Sequence, residues 1–174
     1  MLQFLTEENL KIHKEYLRQK KLKLSIFEKS IEGIKNKNIK EISRQKLNKQ
    51  DKVEILELMS DIALHELFFS SFGENKYPPS LSVKECFTTE TAFLNSVYRA
   101  ALGINYGFVT VFLRCGRVVI ETTEAELYRS FLYSSPVLAI DVSEHSYFLD
   151  YGFDKERYLY SALPYLSLDK LNNS

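Results

Sequence analysis

The apolar residues of this chain change their spacing once along its length, and that change limits the folds open to it. In the first part Leu10, Leu17, Leu24, Ile31 and Ile34 recur at helical intervals, as do Ile55, Leu58, Ile62, His65 and Phe69. Thr6 followed by Glu7 and Glu8 supplies a capping hydroxyl and acids for a helix start. The polar run Lys35-Asn36-Lys37-Asn38 predicts a turn, and a second helix is expected from about Lys49 to Phe72. Two such helices with a short connection predict an antiparallel hairpin. After the breaker segment Gly73 to Pro79, a helix is expected over Ser82 to Leu102, ended by Gly103.

The spacing then becomes that of short strands. YGFVTVFL (Tyr106 to Leu113) and VVIETT (Val118 to Thr123) flank the turn Arg114-Cys115-Gly116-Arg117, and VLAIDV (Val137 to Val142) is a third, almost wholly apolar run. From Glu144 to about Leu171 the pattern predicts helix, with breaks near Gly152 and Pro164. The expected class is α+β. An N-terminal antiparallel helical hairpin lobe (1–76) precedes a C-terminal lobe (80–174) with a three-stranded antiparallel sheet and flanking helices. Hydrophobic residues make up 45 % of the chain and aromatics 13 %, enough to pack an interior, which argues against intrinsic disorder.

The chain has three histidines, and each stands in an unusual place. His13 and His65 lie on the apolar stripes of their helices, and His145 follows a strand expected to be buried. Asp141 sits inside that strand, where an uncompensated carboxylate is costly to desolvate. Three neutral imidazoles and one carboxylate converging in a core form a donor set for a first-row transition metal. A lone inward histidine is more often a satisfied core residue; three of them with a buried Asp favour a shared site.

The segment Ala139 to Tyr151 (AIDVSEHSYFLDY) resembles the D-x-W-E-H-A-Y-Y-x-D-Y signature of iron and manganese superoxide dismutases. Thr6 to His13 (TEENLKIH) is similar to that family's first-ligand helix, and Ile62 to Phe69 (IALHELFF) to its second. Gly107-Phe108 stands where the family has Gly-Trp. The resemblance implies one iron or manganese ion per chain, held by His13, His65, Asp141 and His145 with a solvent molecule as fifth ligand. It also implies superoxide as substrate and a homodimer, in which Glu144 reaches the partner's ligand histidine.

Departures from the pattern concern the surroundings of the metal. The family's gate tyrosine, eight residues after the first ligand, is Lys21, and the histidine four residues after it is Leu17. The tyrosine three residues after the last ligand is Phe148, and one wall tryptophan is Ser143. The glutamine that bonds the solvent comes from one of two places, here Asp61 or Glu126. Lys21 and Asp61 or Glu126 are thus expected to stand in for the proton-relay groups. Such groups tune the metal's potential, so a scaffold that keeps fold and metal without turnover is the alternative. Oxygenase-type iron chemistry is disfavoured by the third histidine.

Charge and cysteine content bound the remaining classes. Lys+Arg and Asp+Glu number 23 each, yet residues 11–52 carry 14 basic and 5 acidic side chains. No aromatic platforms interleave those lysines, so solvated helix faces are expected rather than a nucleic-acid surface. Cys86 and Cys115 form no metal-spaced pair and are expected to be small buried residues in a reducing compartment. The absence of a signal-peptide pattern and of a transmembrane-length run leads to the expectation of a soluble cytoplasmic protein.

Overall fold

The structure, a computed structural model, describes residues 2–73, 81–168 and 171. The expected Pro78-Pro79 break lies outside the described residues. Helix α1 spans Glu7–Ser30, α2 Ile39–Arg44 and α3 Lys49–Ser70. Thr6 caps α1 as expected, its Oγ1 accepting the Asn9 N–H at 3.3 Å. α1 ends before Ile34 because Gly33 turns the chain at φ +81. The polar run then leads into the unexpected α2. Asn38 Oδ1 accepts the Glu41 N–H while Glu41 answers to the Asn38 N–H, a full capping box. α2 lays Ile39 and Ile42 over Ile55 and Leu56 of α3, with Ile34 beside them.

The helix expected over Ser82 to Leu102 is two helices, α4 (Leu81–Cys86) and α5 (Glu90–Leu102). Thr89 causes the break: its hydroxyl caps α5 by accepting the Ala92 N–H at 3.0 Å. The sheet follows, with β1 (Phe108–Arg114), β2 (Arg117–Thr123) and β3 (Leu138–Asp141) in the order β2-β1-β3, antiparallel throughout. Cys115 and Gly116 both take positive φ at the hairpin corner, the conformation that matches the strand twist. Against expectation both cysteines are exposed. Between β2 and β3 lies a short helix, α6 (Arg129–Tyr133); α7 (Glu144–Tyr151) and α8 (Lys155–Ala162) complete the regular elements. The architecture is α+β, a helical N-terminal region and a three-stranded antiparallel sheet with flanking helices.

All four residues of β3 and the first five of β1 are buried. Leu138, Ala139 and Ile140 of β3 and Phe108, Val109 and Val111 of β1 share one core with Leu64 and Phe68 of α3, Phe93 and Val97 of α5, and Tyr158 of α8. Ser71, just past α3, accepts the Ala139 N–H at 2.9 Å and so fixes α3 against β3. At the other side Thr6 gives both its N–H and its hydroxyl to the Asp150 carboxylate, at 2.9 and 2.6 Å, tying α1 to α7. These ties bring α1, α3, β3 and α7 to one place at the end of β3. Among the described residues no helix is long and apolar enough to cross a membrane.

Gly107 is required where β1 begins. Its φ is +93, and a Cβ built there would lie 2.1 Å from the Thr123 carbonyl oxygen. Its carbonyl accepts the Val142 N–H and its N–H reaches Ser143 Oγ, so the strand start is clamped to the chain leaving β3. Gly107→Ala is expected to lose about 3 kcal/mol of stability or more through backbone strain and displacement. Urea denaturation of both proteins checks this; a loss below about 1 kcal/mol contradicts the required approach.

Candidate metal centre

Four elements each deliver one side chain to the end of β3. His13 comes from α1, His65 from α3, Asp141 is the last residue of β3, and His145 lies in the first turn of α7. Asp141 Oδ2 is 3.3 Å from His13 Nε2, 3.4 Å from His65 Nε2 and 3.1 Å from His145 Nε2. His65 Nε2 and His145 Nε2 are 3.2 Å apart. His13, His65 and Asp141 are buried, whereas the His145 side chain is 31 % exposed and closes the cluster on its open side.

The chain orients these groups from behind. The Asp141 carbonyl accepts the Tyr158 hydroxyl at 2.9 Å, and Asp141 Oδ1 accepts the Ser143 N–H at 2.9 Å. This leaves Oδ2 to face the imidazoles. His65 donates its Nδ1–H to the Asp61 carbonyl at 2.8 Å, which fixes the tautomer with Nε2 as the free donor atom. Phe108 packs edge-on against His65 at 5.1 Å and Tyr16 stacks on His145 at 4.4 Å, so the rings have little room to turn.

Electrostatics favour the ligand forms of Asp141 and His13. Burial alone would raise the Asp141 carboxyl, but the His13 and His145 rings beside it outweigh burial and hold it well below the usual carboxylate range. Burial lowers the His13 imidazole and keeps it neutral. At His65 burial also acts downward, yet hydrogen bonding to Asp61 and the charge of Asp141 prevail and raise it. Asp141 Oδ2 and His13 Nε2 make no well-formed hydrogen bond although both are buried. The four donor atoms lie within 4.8 Å of one another. Separations of 3.1–3.4 Å are those of neighbouring donors around an ion with bonds of about 2.1 Å. The donor set fits a metal ion, and His13, His65, Asp141 and His145 could hold it.

Outward from the donors runs a pocket of about 330 Å³. One wall is the α1 stripe Tyr16, Lys20 and Lys23; the facing wall is the α3 stripe Asp61, Glu57 and Glu54. Lys20 Nζ bonds Asp61 Oδ2 at 2.9 Å and Lys23 Nζ bonds Glu54 Oε1 at 2.7 Å. Lys20 Nζ also stands 4.7 Å over the Tyr16 ring. Burial would raise the Asp61 carboxyl, but His65 and Lys20 hold it below its ordinary value.

Of the residues expected to serve the metal beyond the donors, Asp61 lines this pocket, whereas Lys21, Glu126 and Glu144 do not. Lys21 pairs with Glu66 at 2.6 Å, both half exposed. Glu126 pairs with Arg129 on the surface, while Glu124 lines the pocket. Glu144 is exposed at the start of α7. Tyr16 and Lys20 escaped the sequence reading, although helix geometry holds the signal. Seven residues is about two turns, so Lys20 shares the face of His13, whereas Lys21 is turned roughly 80° away. Lys20→Met should therefore cost about 1 kcal/mol by releasing Asp61, and Lys21→Met less than about 0.5 kcal/mol. Urea denaturation of the metal-free proteins compares them; equal losses would contradict the assignment of Lys20 to the site.

Residues 80–174 match the family model described as iron/manganese superoxide dismutases, C-terminal domain. That span contains Asp141 and His145, while His13 and His65 lie before it. No curated protein matches the chain. With the match covering more than half its length, the chain belongs to the iron/manganese superoxide dismutase family.

Proposed function

We propose that the chain is an iron- or manganese-dependent superoxide dismutase, with one ion held by His13, His65, Asp141 and His145. The observation that carries this reading is the approach of three imidazole nitrogens to one buried carboxylate oxygen, in a chain of this family. Two lobes, 1–76 and 80–174, each contribute two donors. Bound iron or manganese would supply the one-electron couple. One superoxide gives up an electron and leaves as dioxygen; a second takes an electron and two protons and leaves as hydrogen peroxide.

The chain's own residues bind, orient and supply protons. Asp61 holds His65 through its carbonyl and faces it with its carboxylate, 3.1 Å from Nδ1. Lys20 and Tyr16 are proton-bearing groups on the pocket wall, and the Tyr16 ring lies against His65 and His145. We assign the relay role to Asp61 with Lys20; the surface pairs of Lys21 and Glu126 support leaving those two out. A homodimer joined at α7 fits Glu144, and the exposed Phe148, Leu149 and Phe153 beside it support that face. The proposed location is the cytoplasm.

A second reading keeps the fold and the metal but not turnover. The acid-rich pocket wall favours it, because superoxide is an anion. Metal content and superoxide consumption measured on one anaerobically purified sample separate the two. About one iron or manganese per chain with metal-dependent consumption supports the dismutase; a full equivalent without consumption supports the scaffold. His65→Ala is expected to bind neither metal and to lose the rise in Tm that metal gives the native chain. Retention of a full equivalent by that variant contradicts the donor set.

A further inference from the structure

The charges on the pocket wall do not cancel. Lys20 and Lys23 face Asp61, Glu54, Glu57 and Glu124, an excess of two negative charges along the path to the donors. Lys20 is matched by Asp61 and Lys23 by Glu54. Glu57 makes no ion pair with a described residue; its Oε2 accepts the Leu127 N–H at 3.0 Å, which holds the carboxylate at the pocket wall. Glu124 accepts the Asn105 N–H at 3.2 Å and has Lys155 in its neighbourhood. Glu57 is therefore the acid on this wall least compensated by a cation, eight residues and about 12 Å along α3 from His65.

We propose that Glu57 sets the charge selectivity of the pocket, making it a path that speeds divalent cations to the four donors and disfavours small anions there. The proposal rests on the reading of His13, His65, Asp141 and His145 as a metal site, and it holds whether or not the loaded protein turns over superoxide. The physics is that of a charged cleft. Its walls exclude water and focus the field, so local concentration rises for ions of one sign and falls for the other. One unit charge at about 12 Å changes the encounter of a monovalent ion by about twofold, and of a divalent ion by about the square of that. Glu57 is thus a positioning and selectivity residue, since it does not touch the donors.

Glu57→Gln removes the charge and keeps an oxygen to accept the Leu127 N–H. Two measurements then move in opposite senses. The rate of Mn²⁺ uptake by metal-free protein should fall about fourfold in the variant, and azide should bind the iron-loaded variant about twofold more tightly. In the native chain added salt should slow Mn²⁺ uptake and tighten azide binding, and both trends should flatten in Glu57→Gln. Glu28→Gln, a change fifteen residues and about 22 Å along α1 from His13, should leave both readings as in the native chain. If Mn²⁺ uptake and azide binding weaken together, Glu57 acts through the fold and the proposal is overturned; it is equally overturned if neither moves. Failure of the native chain to take up Mn²⁺ or iron overturns the metal reading and this proposal with it.

Discussion

The Asp141 carboxylate, buried at the end of β3 among three imidazole rings, dictates how the surrounding elements are arranged. An ionised carboxylate in an apolar strand is tolerated only with compensation. Each compensating ring comes from a different helix, so α1, α3 and α7 must meet where β3 ends. The backbone ties serve that meeting. Ser71 holds β3 on α3, Asp150 holds α7 on the start of α1, and Tyr158 holds the Asp141 carbonyl from beneath. Gly107 belongs to the same clamp, because only a residue without Cβ lets β1 approach Thr123 and still receive the Val142 N–H.

The hairpin of α1 and α3 does two jobs with one helical periodicity. Its inner stripes give His13 and His65 to the centre. Continued outward, the same stripes place lysines on one wall and acids on the other, cross-paired from Lys20 to Asp61 and from Lys23 to Glu54. Asp61 joins the two functions, since its backbone orients His65 while its side chain anchors Lys20. The surroundings of the four candidate donors therefore differ from the family signature. A lysine–carboxylate pair and the stacked Tyr16 stand beside the donors here, and Ser143 bonds the Gly107 N–H where a tryptophan would fill space.

Much of this was legible in the residues themselves. The change of apolar spacing predicted the hairpin and the three strands, and β1, β2 and β3 begin and end within two residues of expectation. His13, His65, Asp141 and His145 were singled out because histidines on apolar stripes and an acid in VLAIDV need a common explanation, and the structure brings them together. Local capping was undervalued. Asn38 with Glu41 and the hydroxyl of Thr89 each start a helix that apolar periodicity alone does not reveal. Cys115 was expected inside, yet it takes a left-handed hairpin corner that must face solvent. Lys21 follows from analogy of position, whereas the turn of the helix puts Lys20 on the face of His13 and pairs it with Asp61. Tyr16 carried no signal until His145 was placed against it.

We propose that Nε2 of His13, His65 and His145 and Oδ2 of Asp141 coordinate a single ion together. Crystals grown with Fe²⁺ under anaerobic conditions, measured at the iron absorption edge, test it most directly. One anomalous peak per chain is expected, within bonding distance of Nε2 of His13, His65 and His145 and of Oδ2 of Asp141. A chain that binds iron with its peak elsewhere, or with any one of these four side chains turned away from the ion, would contradict it.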